Sequence, residues 1–467
     1  MSFVFYDMET TGTHTTFDQI LQFAAIYTDE ELNEIDRFEI RCRLLPHIVP
    51  SPSAMRITGV KVSQLTDRTL PTHYQMMCQI RQKLLEWTPS IFLGYNTIKF
   101  DENLLRQAFY KTLLQPYLTN ISGNSRTDIM RIAQAVSVYA PEALAIPHDT
   151  DEEPNFKLER LAAANGFSIE NAHDAVADVE ATLHIAKLVS ERSPEVWSSF
   201  MRFSKKATVI DYVTNEQTFC LTDFYFKNAY SWLVSPIGVS PSNPSEIYVF
   251  NLGVDPDSLS SLRDTDLQAR LDTLPKPVRI VRANAAPMIF PIEDAPNTAS
   301  GKNLSEEELD RRVNVLESDL ELKKRLTAAY EQTKQEWPAS AHVEEQIYSG
   351  FYTWDDQERL EVFHSLDWEG RIELLEEFED QRLKILGLRL IHAECPEIVG
   401  KVRCLELDRE IAKRIAYNDP DSPWLTLPKA LEEIEKLLIS ATAKERNLLI
   451  EHRQYLTQRL NDALEIL

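Results

Sequence analysis

Residues 1–14 read MSFVFYDMETTGTH, and the fold is decided by how Asp7 and Glu9 follow Phe3, Val4, Phe5 and Tyr6. Aromatic and β-branched residues in an unbroken run predict a buried β-strand. A strand sends alternate side chains to opposite faces, so Asp7 and Glu9 leave the same face at its end. Two carboxylates that close repel in a low-dielectric site unless a cation lies between them or one keeps its proton. The stretch therefore asks for a metal ion.

Two later stretches supply further ligands. GYNTIKFDENLLRQAF, residues 94–109, ends a β-run and opens a helix with Asp101 at or near its start. There an acid is favoured by the helix dipole and the unpaired amides, and taken alone Asp101 reads first as a plain helix cap. NAHDAVADVEATLHIAKLV, residues 171–189, places His173 before a helix and Asp178 one turn inside it, among Ala175, Ala177 and Ala181. Those small neighbours let the helix press against whatever carries Asp7. An acid on a packed helix is costly unless it is liganded. Four carboxylates from three separated elements, with one histidine, suit two-metal phosphodiester hydrolysis. Hard oxygen donors select Mg²⁺ or Mn²⁺, two ions per site, over zinc. Neutral His173 then serves as general base, although a single histidine is more often a surface or core residue.

The chain has 467 residues, which predicts two to four domains, and its 43% hydrophobic and 26% charged content is that of a folded protein. A formal charge of −24 confines any grip on a polyanion to local patches and divalent ions. Cys42, Cys78, Cys220, Cys395 and Cys404 are odd in number and scattered, so neither a disulfide framework nor a thiolate cluster is expected. The N-terminal stretch lacks a basic leader and no apolar run approaches the ~20 residues that span a bilayer, so the expected location is the cytoplasm.

Along the chain, strand-like runs (FVFYD, QFAAIYTD, IFLGYN) alternate with helical ones as far as about residue 190, which predicts an α/β sandwich. SERSPEVW breaks the pattern near Pro194. From there ATVIDYVTN, FCLTDF, YSWLVSPIGV, SEIYVFNLGV and PVRIVRANAAPMIF read as strands of a small β-rich domain, interrupted by helical stretches at 258–272 and 305–332. A second break at EWPASAHVEEQ introduces an acidic, almost wholly helical region. Its last helix is predicted to begin near Pro428 and to pack internally. The expected domains are 1–193, 194–340 and 341–467.

DMETTGT, GYNTIKFDE and NAHDAVAD resemble the three motifs of the DEDDh superfamily of 3′-to-5′ exonucleases. LQFAAIYTD, ITGV, FKLERLAAANG, SWLVSPI, FNLGVDPDSL, PVRIVRANAAPMI and IYSGFY follow in the order and spacing of the bacterial exonuclease I family within it. The resemblance implies a ribonuclease H-like α/β exonuclease domain, an SH3-like β-rich domain and an all-α C-terminal domain. It implies processive release of 5′-mononucleotides from the 3′ end of single-stranded DNA, in DNA repair and recombination. By the same resemblance Asp7, Glu9, Asp101 and Asp178 hold the metals, His173 is the general base, and Glu9 and Lys157 touch substrate. An ordinary exposed lysine explains Lys157 as well. The implied partners are a single-stranded DNA 3′ end and the acidic tail of single-stranded-DNA-binding protein, with Lys323, Lys324 and Arg325 in the region of the tail pocket. A monomer is expected.

Other features carry less. Gly301-Lys302 lacks the upstream glycine and the hydroxyl of a phosphate-binding loop, so ATP is not called for. His392, Glu394 and Cys395 brush against the zinc-deaminase pattern, but Cys404 lies nine residues beyond Cys395 and the PCxxC half is absent. Tyr225, Phe226, Tyr230 and Trp232, with Lys205, Lys206 and Lys227 nearby, could stack bases and hold phosphates, and most such aromatics are core. The competing functions are an RNA-trimming exonuclease of the same superfamily and a non-catalytic nucleic-acid-binding scaffold.

Overall fold

The computed structural model describes residues 1–168, 174–335, 338 and 340–467. Strand β1 (Phe3–Thr10) lies at the centre of a five-stranded sheet. It pairs antiparallel with β2 (Ile20–Thr28) and parallel with β4 (Ile91–Gly94), while β3 (Glu34–Arg41) and β5 (Ser125–Asp128) form the edges in the order β3-β2-β1-β4-β5. The alternation read in the sequence sorts the side chains. Phe3 and Phe5 pack with Ile132, Val136, Val179 and Ile185, from the helices Ile129–Tyr139 and Ala175–Arg192. Val4, Tyr6 and Met8 pack on the other face with Met77, Ile80, Leu105 and Phe109, from His73–Glu86 and Asp101–Lys111. Each such side chain taken from water contributes about 1.5–3 kcal/mol. Asp7 and Glu9 continue the Phe3–Phe5 row, so they emerge on the side covered by the helix of Asp178.

Strands β3 and β5 and the helix Ile129–Tyr139 were not among the expected elements. β3 is a half-exposed edge strand with charge at most positions, and β5 is four polar residues completely buried. Neither has the apolar run by which a strand announces itself.

The second sheet is antiparallel throughout, in the order β10-β6-β7-β8-β9, from β6 (Phe219–Tyr225), β7 (Asn228–Val239), β8 (Glu246–Asn251), β9 (Val278–Arg282) and β10 (Met288–Phe290). ATVIDYVTN was expected here as a strand but forms the helix Lys206–Asn215. Its buried residues are Val209 and Val213, four apart on one helical face, so packing overrode the β-branched propensity.

The helices Glu306–Ser318 and Leu320–Gln332 divide at Asp319, whose side chain accepts from the Leu322 N–H. Beyond residue 340 the chain is helical. Where one final helix was expected there are two, Leu427–Ser440 and Ala443–Ile466, separated by a Thr442–Glu445 capping box, a device worth about 1 kcal/mol. They pack against each other and on the segment that follows β3: His452 Nε2 meets the Val60 carbonyl at 2.8 Å, and Arg459 Nη1 donates to the Ile48 carbonyl at 2.8 Å. No helix among the described residues is long and apolar enough to cross a membrane.

Candidate active site

The strand end brings its carboxylates together with one from the covering helix. Asp7, Glu9 and Asp178 each offer an oxygen, and these atoms lie within 4.8 Å of one another. A bulge between Glu9 and Thr10 ends the regular pairing with β2 directly after the second acid. Burial pushes Glu9 up to about 8, helped by Asp178, Asp101 and Asp174 and opposed by Arg41. Asp7 is raised well above the usual carboxylate range by burial, then by Asp101, Asp178 and Glu9.

Asp101 stands just outside this trio. It is the first residue of the helix Asp101–Lys111, and the capping position belongs to Phe100, so the cap reading of Asp101 does not hold. It is 4% exposed. Burial pushes its carboxyl up to about 8 against the hydrogen bond of its own backbone N–H, with Asp128, Glu102 and Asp178 adding repulsion. An all-oxygen set of acids that raise one another's proton affinity is the donor set that a hard divalent cation completes. The residues thus fit the metal that the sequence called for.

Three carboxylates unremarked in the sequence hold this arrangement. Asp128, at the end of β5, accepts from the N–H groups of Asn96 (2.9 Å) and Ile98 (3.2 Å) and so braces the loop leading to Asp101. Buried Glu102 receives Arg126, Arg106 at 2.9 Å, Thr119 Oγ1 at 2.7 Å and Tyr6 Oη at 3.2 Å, tying the helix to β5 and β1. Asp174 caps the helix of Asp178 and takes Arg41 Nη2 at 2.7 Å. Several of their partners, Asn96 for Asp128, Arg126 and Tyr6 for Glu102 and Arg41 for Asp174, come from distant sequence, which no local pattern announces. His173 lies outside the described residues.

Residues 4–186 match the ribonuclease T-type exonuclease family. The exodeoxyribonuclease I of Haemophilus influenzae is 27% identical over 400 residues, covering 82% of this chain and 84% of that protein. Among solved structures, the moderately thermophilic exonuclease I of Methylocaldum szegediense superposes with a TM-score of 0.85 at 27% identity, over 98% of this chain and 99% of that one. Escherichia coli exonuclease I in complex with a dA16 oligonucleotide gives 0.84 at 25% identity, over the same shares. The chain carries an exonuclease-type segment at residues 4–186 and is similar to exonuclease I along most of its length.

A cleft of about 420 Å³ opens between the loop preceding Asp101 and the second sheet, and of the acids described above Asp128 lines it. Lys99, Arg131, Arg279, Tyr225 and Trp232 are among its walls. The guanidinium of Arg279 lies 3.9 Å from the centre of the Trp232 ring. Of the expected aromatics, Trp232 is buried, whereas Tyr225, Tyr230 and Phe226 are exposed. Lys227 is held by Asp149 at 2.7 Å, and Lys205 and Lys206 are exposed at a helix start. Arg131 and Arg279 escaped the sequence reading because neither lies beside an aromatic in the chain.

Lys157 precedes the helix Leu158–Ala164 with its side chain exposed. The neighbouring Phe156 carbonyl accepts from Tyr95 Oη at 2.5 Å, and its ring meets edge-on that of Phe224, a residue of the cleft wall, so Lys157 is two steps removed from the cleft. Arg325 is engaged internally, with Asp264 at 2.8 Å and the Ser260 carbonyl at 3.1 Å.

Proposed function

We infer that the protein is an exodeoxyribonuclease that removes nucleotides from the 3′ end of single-stranded DNA. The observation that carries this is the convergence of Asp7, Glu9 and Asp178 within 4.8 Å, with Asp101 beside them in a chain whose relatives are exonuclease I along most of its length. Asp7, Glu9, Asp101 and Asp178 would hold divalent cations, Mg²⁺ or Mn²⁺. Two such ions, when bound, activate the attacking water and offset charge on the leaving 3′ oxygen.

The chain's own residues do the remainder. Glu9, at the strand end, fixes the terminal nucleotide, and His173 takes the proton from the water as general base. Lys157 and Arg131 hold backbone phosphates at the cleft, while Tyr225 and the Arg279–Trp232 pair offer flat surfaces to the bases. A strand enclosed between the first sheet's domain and the later ones remains threaded between cleavages, which makes hydrolysis processive and excludes duplex. The proposed units are an exonuclease domain over 1–193, an SH3-like β-rich domain over 194–340 and a helical domain over 341–467. The protein acts as a cytoplasmic monomer and takes the acidic tail of single-stranded-DNA-binding protein as partner. A tail-peptide titration with Kd above millimolar removes that partner.

The deciding assay offers 5′-labelled single-stranded DNA and RNA of one sequence with Mg²⁺, beside Asp7→Ala. Shortening of the DNA from its 3′ end, with little on RNA and none in the variant, is expected. Preferential RNA trimming would move the substrate class, and no cleavage of either would leave a binding scaffold.

A further inference from the structure

A second constellation of metal-binding side chains lies in the helical region, apart from the acids of the first sheet. His392 is in the last turn of the helix Gln381–Glu394, while Cys404 and Asp408 are four apart on one face of the helix Lys401–Ala416. The chain turns between the two helices through Pro396–Ile398 and Gly400, whose φ of 84° is open to glycine. His392 Nε2 lies 3.1 Å from Asp408 Oδ1, and Cys404 Sγ lies 3.9 Å from Asp408 Oδ2. A nitrogen, a sulfur and an oxygen are thus gathered within 4.8 Å of one another. The sequence pairs His392 with Cys395 by proximity; the fold pairs it with Cys404.

We propose that His392, Cys404 and Asp408 form a zinc site that fastens these two helices together. Tetrahedral Zn²⁺ holds nitrogen and oxygen at about 2.0–2.2 Å and sulfur at about 2.3 Å, which separates the donors by roughly 3.3–3.7 Å. The 3.1 and 3.9 Å spacings run to different oxygens of Asp408, and rotation of the three side chains from within their common 4.8 Å brings one donor from each to that geometry. A His–Asp hydrogen bond alone explains the shorter distance but gives no reason for a thiol on the same face. The donor set also separates this site from the catalytic one: nitrogen and sulfur select zinc, whereas the all-oxygen acids select Mg²⁺ or Mn²⁺. His392 is 8% exposed and lines a cavity of about 490 Å³. Three protein ligands leave a fourth position, and the Asp408 side chain, 41% exposed, opens the site to water. Binding releases the Cys404 thiol proton and takes His392 neutral, leaving a thiolate, a carboxylate and the dication with no net charge.

Cobalt(II) distinguishes the two sites, because only the proposed one contains sulfur. The full chain, stripped with chelator and titrated with Co²⁺, should develop a thiolate-to-cobalt absorption in the near ultraviolet that saturates at one equivalent and disappears when Zn²⁺ is added. Cys404→Ser should lose the band while keeping Mg²⁺-dependent exonuclease activity, which shows that the variant is folded. Cys395→Ser should retain it. Zinc should raise the thermal midpoint of the parent protein by more than that of Cys404→Ser, which keeps only the carboxylate site. Absence of the band in the parent, its persistence in Cys404→Ser, or its loss in Cys395→Ser overturns the proposal.

Discussion

Replacing Glu344 by Gln tests how the helical region is locked onto the rest of the chain. Glu344 is 4% exposed and takes Arg414 Nη1 at 2.6 Å and Arg389 Nη1 at 3.1 Å. Arg414 in turn lies over Trp424 at 4.2 Å and over Phe17, from the loop that follows Glu9, at 5.6 Å. Burial drives the Glu344 carboxyl up, but Arg414 and Arg389 overcome that push and hold it at about 2, against an ordinary 4.5. At about 1.4 kcal/mol per tenfold change in proton affinity, this contributes roughly 3 kcal/mol of stability at neutral pH. The loss of one partner from a buried ion pair, about 3–5 kcal/mol, agrees.

The folded value is depressed, so the stabilisation is complete above pH 4.5 and is lost as pH falls toward 2. Arg414 stays charged throughout. Urea unfolding followed by circular dichroism and tryptophan fluorescence should show Glu344→Gln less stable than the parent by roughly 3 kcal/mol at pH 7, narrowing to about 1 kcal/mol at pH 3. A deficit below about 1 kcal/mol at pH 7, or an equal deficit at both pH values, would refute the reasoning.

Further outcomes follow from the site. An added Cβ at Gly94 would lie 2.0 Å from Thr97 Cγ2 and 2.6 Å from the Tyr6 carbonyl. Gly94→Ala should therefore cost about 1–3 kcal/mol in urea unfolding, and, by displacing the strand end before Asp7, should lower kcat more than it raises KM. Lys157→Ala should change stability by less than about 0.5 kcal/mol yet raise KM for single-stranded DNA, and an unchanged KM would remove the residue from the substrate path. Arg131→Ala should weaken binding across sequences and reduce the slope of log K against log salt by about 0.7, the loss of one neutralised phosphate. With a chain charge of −24, the parent slope itself should be shallow, and one implying about ten or more released ions would contradict the cleft as the main grip.

The sequence by itself picked out acids that the fold gathers, Asp7, Glu9 and Asp178, and the elements that carry them. Asp7 and Glu9 share a face because alternation along a strand is a local property. The helix Ala175–Arg192, which carries Asp178, was legible from its own residues. Strand β3, polar β5 and the helix Lys206–Asn215 were not, because their identity comes from what packs on them and not from their composition. Only the tertiary structure put Asp128 beneath the Asn96 amide, Arg279 over Trp232 and Cys404 beside His392. Each of these pairs joins residues 12 to 47 positions apart in the sequence, and their contact depends on how helices and sheets stack. Side-chain periodicity reports the face on which a residue lies. Which other residue that face will meet is fixed only when the apolar surfaces are buried together.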